Sequence, residues 1–278
     1  MIYYAALAEG DGPAAIYKLK FDSRWSPRIM SQVSPPKKIM LLDDDPFIIG
    51  VMKGFLNSPA FQIDCATSVL EALELTKHID FDCIVSDVRL PIGTGADLLT
   101  SLREINRRSP AIIFVSGFSD ITVDELLFRG ADSFLLKPFT QEVFVAEVNR
   151  LAQPLPLRQQ AKPASYESLK PITLNASNVL KTGTGGDVRL GLGGFFARIH
   201  PEGVRINQHL RFTLEIGKGE VLQGCGRIMW LRRPSSLRPL AAGMGLLIEY
   251  LEPKSNEAYQ AFIDKSDLLE TIPREIVP

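Results

Sequence analysis

Hydrophobic positions between residues 37 and 152 follow two alternating patterns. Short apolar runs rich in β-branched residues are typical of strands buried on both faces. These runs are IMLL (39–42), QIDCA (62–66), CIVSD (83–87), AIIFVSG (111–117) and SFLL (133–136). The stretches between them have helical spacing, at 46–56, 68–76, 95–106, 121–129 and 141–151. Strands that alternate with helices in this way predict a doubly wound α/β fold with a parallel five-stranded sheet.

The pattern changes after Leu151. Three prolines between residues 153 and 165 predict a semi-rigid linker. Beyond it, strand-like runs separated by glycine-bearing turns predict a small antiparallel β-barrel at 166–270, closed by a C-terminal helix. The strand-like runs are FFARI (195–199), QHLRFTLEI (208–216), VLQGCGRIMWLRR (221–233) and GMGLLIEYL (243–251), and the helical tail is EAYQAFIDKSDLLE (257–270). Residues 1–36 lack sustained periodicity and predict a flexible leader.

Composition limits the classes of protein that this chain can be. Its 278 residues suffice for two domains, and a net charge of -1 with 45% hydrophobic residues is typical of a globular protein. Cys65, Cys83 and Cys225 are odd in number and lack C-x-x-C spacing, which indicates reduced thiols and a cytoplasmic location. No signal peptide and no apolar run of about 20 residues occurs, so we expect no membrane insertion.

Acidic residues stand where two of the predicted strands end. Asp43 and Asp44 close the first strand and Asp87 closes the third, and in a doubly wound sheet these carboxyl ends are neighbours. Crowded carboxylates resist ionisation unless a cation neutralises them, and oxygen ligands suit Mg²⁺. The sequence therefore predicts a Mg²⁺ site at Asp43, Asp44 and Asp87. Asp45 is expected instead to begin the first helix, with Pro46 in its first turn.

Two further side chains complete a site suited to phosphoryl chemistry. A carboxylate can act as a nucleophile toward phosphorus, and Mg²⁺ would screen the oxygens of the incoming group. Ser116 ends the fourth strand and offers a hydroxyl, while Lys137 follows the fifth strand and offers a positive charge. The peptide bond between Lys137 and Pro138 is a candidate for the cis form.

These residues, in this order, resemble the response-regulator receiver domain from about Lys37 to Ala152. The resemblance implies a flavodoxin-like fold and phosphorelay signalling, in which a partner histidine kinase phosphorylates Asp87 and the phosphoryl group is later lost by slow self-catalysis. It also implies a conformational switch in which Ser116 and Lys137 close on the phosphoryl group. Phe134, three residues before the lysine, takes the position of the family's switch aromatic.

Two features of the third-strand loop depart from the family pattern. The family often has Asp-Gly where this chain has Thr94-Gly95, a difference outside the acidic pocket. Arg89 also places a cation two residues after the acceptor, where the family varies the side chain. We expect these departures to change the rate of dephosphorylation rather than to abolish the chemistry.

The second half resembles the PilZ domain, a small barrel that binds cyclic di-GMP. The resemblance spans about 166–263 and is carried by LGLGGFFAR, GRIMWLRR and GMGLLIEYL. The family's ligand residues are absent, however: no R-x-x-x-R segment precedes the barrel, and the D-x-S-x-x-G motif aligns with Arg189, Gly191 and Gly194. Unmatched ligand groups cost about 1–3 kcal/mol each. We therefore expect a protein-interaction module, with a dual-input regulator that binds cyclic di-GMP as the alternative.

Other functions find little support in the sequence. The histidines, His78, His200 and His209, have no partner acids or cysteines at ligand or triad spacing, and no glycine-rich phosphate loop occurs, so we do not expect an enzyme. No helix-turn-helix pattern occurs in the second half, so we do not expect nucleic-acid binding. A basic surface in the second half could meet an acidic partner; its members would be Arg189, Arg198, Arg205, Arg211, Arg227, Arg232, Arg233 and Arg238. Output through a receiver homodimer or through the barrel is left open.

Overall fold

The computed structural model of the chain describes residues 35–117, 123–175, 188–198, 203–217, 220–232, 243–265 and 270–273. All but the last two residues of the predicted leader at 1–36 lie outside these ranges. From Pro36 onward the described residues belong to one compact unit, so contacts between its two sheets can be described directly.

A parallel sheet of five strands, called here the first sheet, occupies the first half. Its strands are β1 (Lys37–Leu42), β2 (Phe61–Ala66), β3 (Cys83–Asp87), β4 (Ala111–Ser116) and β5 (Ser133–Leu136). They lie in the order β2-β1-β3-β4-β5, and every neighbouring pair is parallel. Reversal of the strand order beside β1 is the arrangement of doubly wound folds that place ligands at the carboxyl ends of their strands. The predicted doubly wound α/β fold is confirmed.

Five helices cover this sheet at the predicted positions: α1 (Pro46–Phe55), α2 (Val69–Thr76), α3 (Gly95–Ile105), α4 (Val123–Phe128) and α5 (Gln141–Leu151). Local sequence sets four of their starts, because Asp45, Ser68, Thr94 and Thr140 each accept a hydrogen bond from a backbone N–H in the first turn. Asp45 therefore caps α1, with Pro46 in its first turn, as predicted. None of the described helices has the length and apolar character that crossing a membrane requires.

A second sheet of six strands follows. Its strands are β6 (Lys170–Asn175), β7 (Val188–Leu190), β8 (Gly194–Ala197), β9 (His209–Gly217), β10 (Glu220–Arg232) and β11 (Gly243–Leu251), in the order β6-β9-β10-β11-β8-β7. Helix α6 (Pro253–Asp264) packs against β10. The all-antiparallel prediction is wrong at one edge, because β6 runs parallel to β9. The described residues contain no pairing between the edge strands β6 and β7, so they do not show the predicted closed barrel.

The proline-bearing segment at 153–165 is held against both sheets. Arg158 and Gln159 are buried. The Arg158 guanidinium donates to Gln153 O (2.9 Å) and to Asp132 Oδ1 beside the first sheet (2.7 Å). The carbonyl oxygen of Gln159 accepts a hydrogen bond from Leu251 N of β11 (2.8 Å). The segment thus fixes the second sheet to the first.

An apolar cluster also crosses from one sheet to the other. Helix α4 lies against β10. Leu126 and Leu127 of α4 belong to the same buried cluster as Met229, Trp230 and Ile272 from the second half. Burial of such side chains removes apolar surface from water and stabilises the contact by about 25 cal/mol per Å². The two sheets therefore share part of a core.

Candidate functional site

Three predicted site residues meet at the carboxyl edge of the first sheet. Lys137 Nζ donates to Asp87 Oδ2 at 2.7 Å and to Asp43 Oδ2 at 3.0 Å. Asp43 is 2% exposed, whereas the Asp87 carboxylate is partly open to solvent. The lysine ammonium thus bridges two carboxylates from the ends of β1 and β3. Such a pair would repel if it were left without a cation.

Backbone contacts orient both carboxylates. Asp43 Oδ1 accepts a hydrogen bond from the N–H of Asp45 (3.0 Å), and Asp87 Oδ1 accepts one from the N–H of Arg89 (2.9 Å). Each carboxylate therefore has one oxygen fixed by the turn that follows its strand, and the other oxygen faces Lys137. The backbone N–H groups of Asp45 and Arg89 therefore fix the orientation of the two carboxylates within the site.

The charge of Lys137 is stabilised by its partners. Burial opposes the ammonium charge, but the hydrogen bonds to Asp87 and Asp43 outweigh this effect and raise the pKa of Lys137 above its ordinary value. The lysine therefore remains protonated at neutral pH and keeps a positive charge beside the Asp87 oxygen.

Asp44 is placed differently from the other two acids. It is exposed, and among the described residues no group of three His, Cys, Asp or Glu side chains converges closely enough to hold a metal ion. Mg²⁺, however, commonly takes only one or two protein carboxylates and retains several waters. The facing oxygens of Asp43 and Asp87, with Asp44 next along the chain, are a donor set of this kind. The residues present therefore fit Mg²⁺.

Ser116 and Phe134 lie beside this group on neighbouring strands. Ser116 ends β4 with only 3% of its surface exposed, and its carbonyl oxygen accepts a hydrogen bond from Lys137 N (3.0 Å). Phe134 is buried in the core on β5, next to Phe114 of β4. The peptide bond from Lys137 to Pro138 is cis, as predicted.

The structure shows what Thr94 and Gly95 do in the loop after β3, where the family often has Asp-Gly. Thr94 caps α3 in a reciprocal capping box with Asp97. A Cβ at Gly95 would lie 2.5 Å from the Phe114 ring and 2.6 Å from the carbonyl oxygen of Asp87. The glycine is thus required for close approach of α3 to the strand end that carries Asp87. The threonine serves helix capping, outside the acidic group.

A buried ionic cluster between the sheets was not predicted. Glu147 of α5 accepts hydrogen bonds from Arg150 Nη2 (2.8 Å), from Arg227 Nη2 of β10 (3.3 Å) and from the hydroxyl of Ser133. Arg227 Nε also donates to Glu249 Oε1 (3.1 Å). Burial opposes the charge of Glu147, but the two arginines and Ser133 outweigh it and lower its pKa to about 2. The i,i+3 spacing of Glu147 and Arg150 could have indicated an ion pair on α5. The contact of Arg227 with Glu147 depends on tertiary packing.

Other residues singled out from the sequence are dispersed. Of the predicted basic surface, Arg227 is buried in the cluster above and Arg211 bonds Glu167 Oε2 at 3.0 Å. His209 Nε2 lies 3.0 Å from Glu249 Oε2, and this hydrogen bond raises the pKa of the histidine. Three predicted residues lie outside the described ranges: His200, Arg233 and Arg238. Cys65, Cys83 and Cys225 are free thiols.

Comparison with known proteins identifies the first half. Residues 39–149 match the family described as Response regulator receiver domain. This segment is a receiver domain. The receiver match accounts for the first sheet, its five helices and the group formed by Asp43, Asp87 and Lys137, and it does not extend to the second sheet.

Curated relatives match the same part of the chain. Response regulator protein TmoT of Ectopseudomonas mendocina is 29% identical over 138 residues, which cover 47% of this chain and 62% of TmoT. Response regulator protein TodT of Pseudomonas putida is 28% identical over 138 residues, covering 47% of this chain and 60% of TodT. Transcriptional regulatory protein SrrA of Staphylococcus aureus is 31% identical over 114 residues, which cover 41% of this chain and 47% of SrrA. The chain thus spans less than two thirds of each of these relatives.

Solved structures of response regulators are also similar to part of the chain. Chemotaxis response regulator CheY4 of Vibrio cholerae is 25% identical with a TM-score of 0.39, and the match covers 42% of this chain and 98% of that one. Response regulator TrrA of Thermotoga maritima, solved in complex with Mg²⁺ and BeF, is 25% identical with a TM-score of 0.38, and the match covers 41% and 98%.

Proposed function

We propose that this chain is a two-component response regulator in which a partner histidine kinase phosphorylates Asp87. The observation that carries the proposal is the bridge of Lys137 between Asp43 and Asp87 at the carboxyl edge of the parallel sheet. A partly exposed carboxylate oxygen, a neighbouring cation and a family match over residues 39–149 support phosphoryl transfer to this atom.

In the proposed reaction, Asp87 Oδ2 attacks the phosphorus of a phosphohistidine. The new oxygen–phosphorus bond forms as the phosphorus–nitrogen bond to the kinase histidine breaks, and the nitrogen keeps the electron pair. Lys137, 2.7 Å from Oδ2 at rest, turns its ammonium toward an oxygen of the transferred group. The Ser116 hydroxyl donates to another of these oxygens. Mg²⁺ held by Asp43 and Asp87, with Asp44 as the third candidate, would neutralise negative charge during transfer.

Acetyl phosphate, which can replace a kinase as phosphoryl donor, tests the assignment. We expect labelling of the native chain in the presence of Mg²⁺ and loss of labelling in Asp87→Asn. The matched control is Asp80→Asn, since Asp80 is an exposed aspartate before the opposite end of β3 and should leave labelling unchanged. Full labelling of Asp87→Asn would overturn the proposal.

For the second sheet we propose a PilZ-like module that acts mainly by binding another protein. The positions aligned with the ligand motif of that family are Arg189, Gly191 and Gly194, and two of these lack side chains. Gly191 is packed against the segment Glu270–Pro273, since a Cβ there would lie 2.5 Å from the carbonyl oxygen of Thr271. A glycine that is covered in this way is closed to a guanine edge, which argues against nucleotide binding at this position.

Cyclic di-GMP binding is the second candidate, favoured by the strand motifs that resemble the PilZ family. Calorimetric titration of cyclic di-GMP into the full chain, with and without beryllofluoride and Mg²⁺, separates the two. Our proposal predicts no heat of binding in either state. Micromolar binding would instead support a dual-input regulator.

A further inference from the structure

A short segment near the end of the chain passes between the two halves of the protein. Residues Glu270–Pro273, called here the clasp, cross the loop Gly191–Gly194, called here the glycine loop. Leu192 N donates to Glu270 O (2.8 Å) and Gly193 N donates to Thr271 O (3.0 Å). On its other side, Thr271 N donates to Leu127 O at the end of α4 (3.0 Å). The clasp therefore bonds to both the receiver domain and the second sheet.

The glycine loop is shaped to admit this segment. A Cβ at Gly191 would lie 2.5 Å from Thr271 O and 2.6 Å from Glu270 O. A Cβ at Gly193 would lie 2.7 Å from Thr271 Cγ2, and one at Gly194 would lie 2.8 Å from Ile272 Cγ1. At Gly191 the contacts are with backbone oxygens, so no other residue type fits unless the clasp is displaced. A Cβ at Gly194 would first meet Leu246 O of β11, at 2.2 Å. The run of glycines thus has a physical role that does not involve a nucleotide.

The clasp is also anchored by apolar contact. Ile272 is 0% exposed and belongs to the cluster that contains Leu127 of α4 and Trp230 of β10. Trp230 stacks on Phe196 of β8, with ring centroids 5.4 Å apart. A single side chain of the clasp therefore shares a buried environment with α4 and with two strands of the second sheet.

Helix α4 connects the clasp to the strands that carry the proposed phosphorylation site. It lies in the chain between β4, which ends at Ser116, and β5, which is followed by Lys137. Closure of Ser116 and Lys137 on a phosphoryl group would displace the ends of both strands. Leu127 O of α4 accepts a hydrogen bond from Thr271 N, and the buried cluster that contains Leu127 and Ile272 also contains Phe114 of β4 and Phe134 of β5. Displacement of these strands can therefore reach the clasp through packed side chains.

We propose that the clasp is an internal restraint that holds α4 in its unphosphorylated position and transmits phosphorylation of Asp87 to the glycine loop. This rests on the proposed function of Asp87. Since coupling between two sites is reciprocal, removal of the clasp should strengthen binding of a phosphoryl mimic at Asp87. Phosphorylation should equally loosen the clasp from the glycine loop.

Trp230 provides a direct reading of whether the clasp is in place. The chain has two tryptophans, Trp25 and Trp230, so Trp25→Phe leaves Trp230 as the only one. In this background Gly191→Ala and Ile272→Ala should each shift the Trp230 emission to longer wavelength and increase quenching by iodide. The double variant should shift no further than Gly191→Ala alone, because the clasp is already displaced. Gly50→Ala is the matched control, since a Cβ at Gly50 of α1 meets nothing within 4 Å.

The affinity for beryllofluoride with Mg²⁺, followed by fluorine NMR on the same variants, tests the coupling. Both clasp variants should bind it about fivefold or more tightly than the native chain, and Gly50→Ala should not differ. Unchanged or weaker binding, in variants whose Trp230 emission shows displacement, would overturn the inference. Absence of beryllofluoride binding from the native chain would instead contradict the proposed role of Asp87.

Amide hydrogen exchange on the native chain covers the case in which both variants fail to fold. Beryllofluoride should accelerate exchange of the Thr271 amide, which donates to Leu127 O, and of the Gly193 amide, which donates to Thr271 O. Equal exchange rates at both amides in the free and the beryllofluoride-bound chain would refute transmission through the clasp.

Discussion

Replacement of Glu147 by glutamine should destabilise the whole described unit, because this carboxylate joins the receiver domain to the second sheet. The glutamine keeps the shape of the side chain but removes the charge that faces Arg150 and Arg227. Both arginines are nearly buried, and among the described residues Arg227 would keep only Glu249 as an acidic partner. Removing one member of a buried ionic group costs about 3–5 kcal/mol of unfolding free energy.

The pKa of Glu147 gives an independent magnitude. Its lowering from 4.5 to about 2 corresponds to about 3 kcal/mol of stability at neutral pH. Because the folded pKa is depressed, this contribution is present above the unfolded pKa near 4.5 and is lost as pH falls through the folded pKa near 2. The stability difference between the native chain and Glu147→Gln should therefore shrink as the pH is lowered from 4.5.

Urea unfolding at a series of pH values measures this difference. The matched control is Glu104→Gln, which removes the same charge from an exposed position on α3 and should change the free energy of unfolding by less than about 0.5 kcal/mol. Equal stabilities of the two variants at pH 7 would refute the reasoning. A deficit of Glu147→Gln that stays constant down to pH 2.5 would refute its electrostatic origin.

Two further substitutions test the proposed phosphorylation site. Gly95→Ala should cost about 1–3 kcal/mol of stability and weaken beryllofluoride binding, because its Cβ would lie 2.6 Å from Asp87 O. The control Gly54→Ala on α1 should be stabilising, because a Cβ there meets open space. Equal urea midpoints for the two variants would contradict this prediction. Asp44→Asn should weaken Mg²⁺ binding in a fluorescence titration without lowering thermal stability, since Asp44 is exposed. Unchanged Mg²⁺ affinity would remove Asp44 from the proposed metal ligands.

The receiver strands could be predicted because strands buried on both faces are nearly continuous apolar runs, as in AIIFVSG. The second sheet was harder. Strand β6 begins with Lys170 and Pro171, which are unusual in strands, and β7 has only three residues. Both edges were therefore missed, and with them the parallel pairing of β6 and β9.

The candidate site likewise has features that the sequence predicts and features that it does not. The convergence of Asp43, Asp87 and Lys137 follows from the doubly wound fold, which the alternation of strands and helices predicts and the structure confirms. The contact of Arg227 with Glu147 joins residues 80 positions apart in different sheets, so no local pattern indicates it. The glycine run at 191–194 was visible, but its purpose depends on the clasp that crosses it.

The most direct test of the account is to locate the phosphoryl group itself. The full chain would be treated with acetyl phosphate and Mg²⁺, and the modified residue would be identified by tandem mass spectrometry. The account predicts a single phosphorylated residue, Asp87. A phosphoryl group found on another residue while Asp87 stays unmodified, or none on a folded chain that binds Mg²⁺, would contradict it.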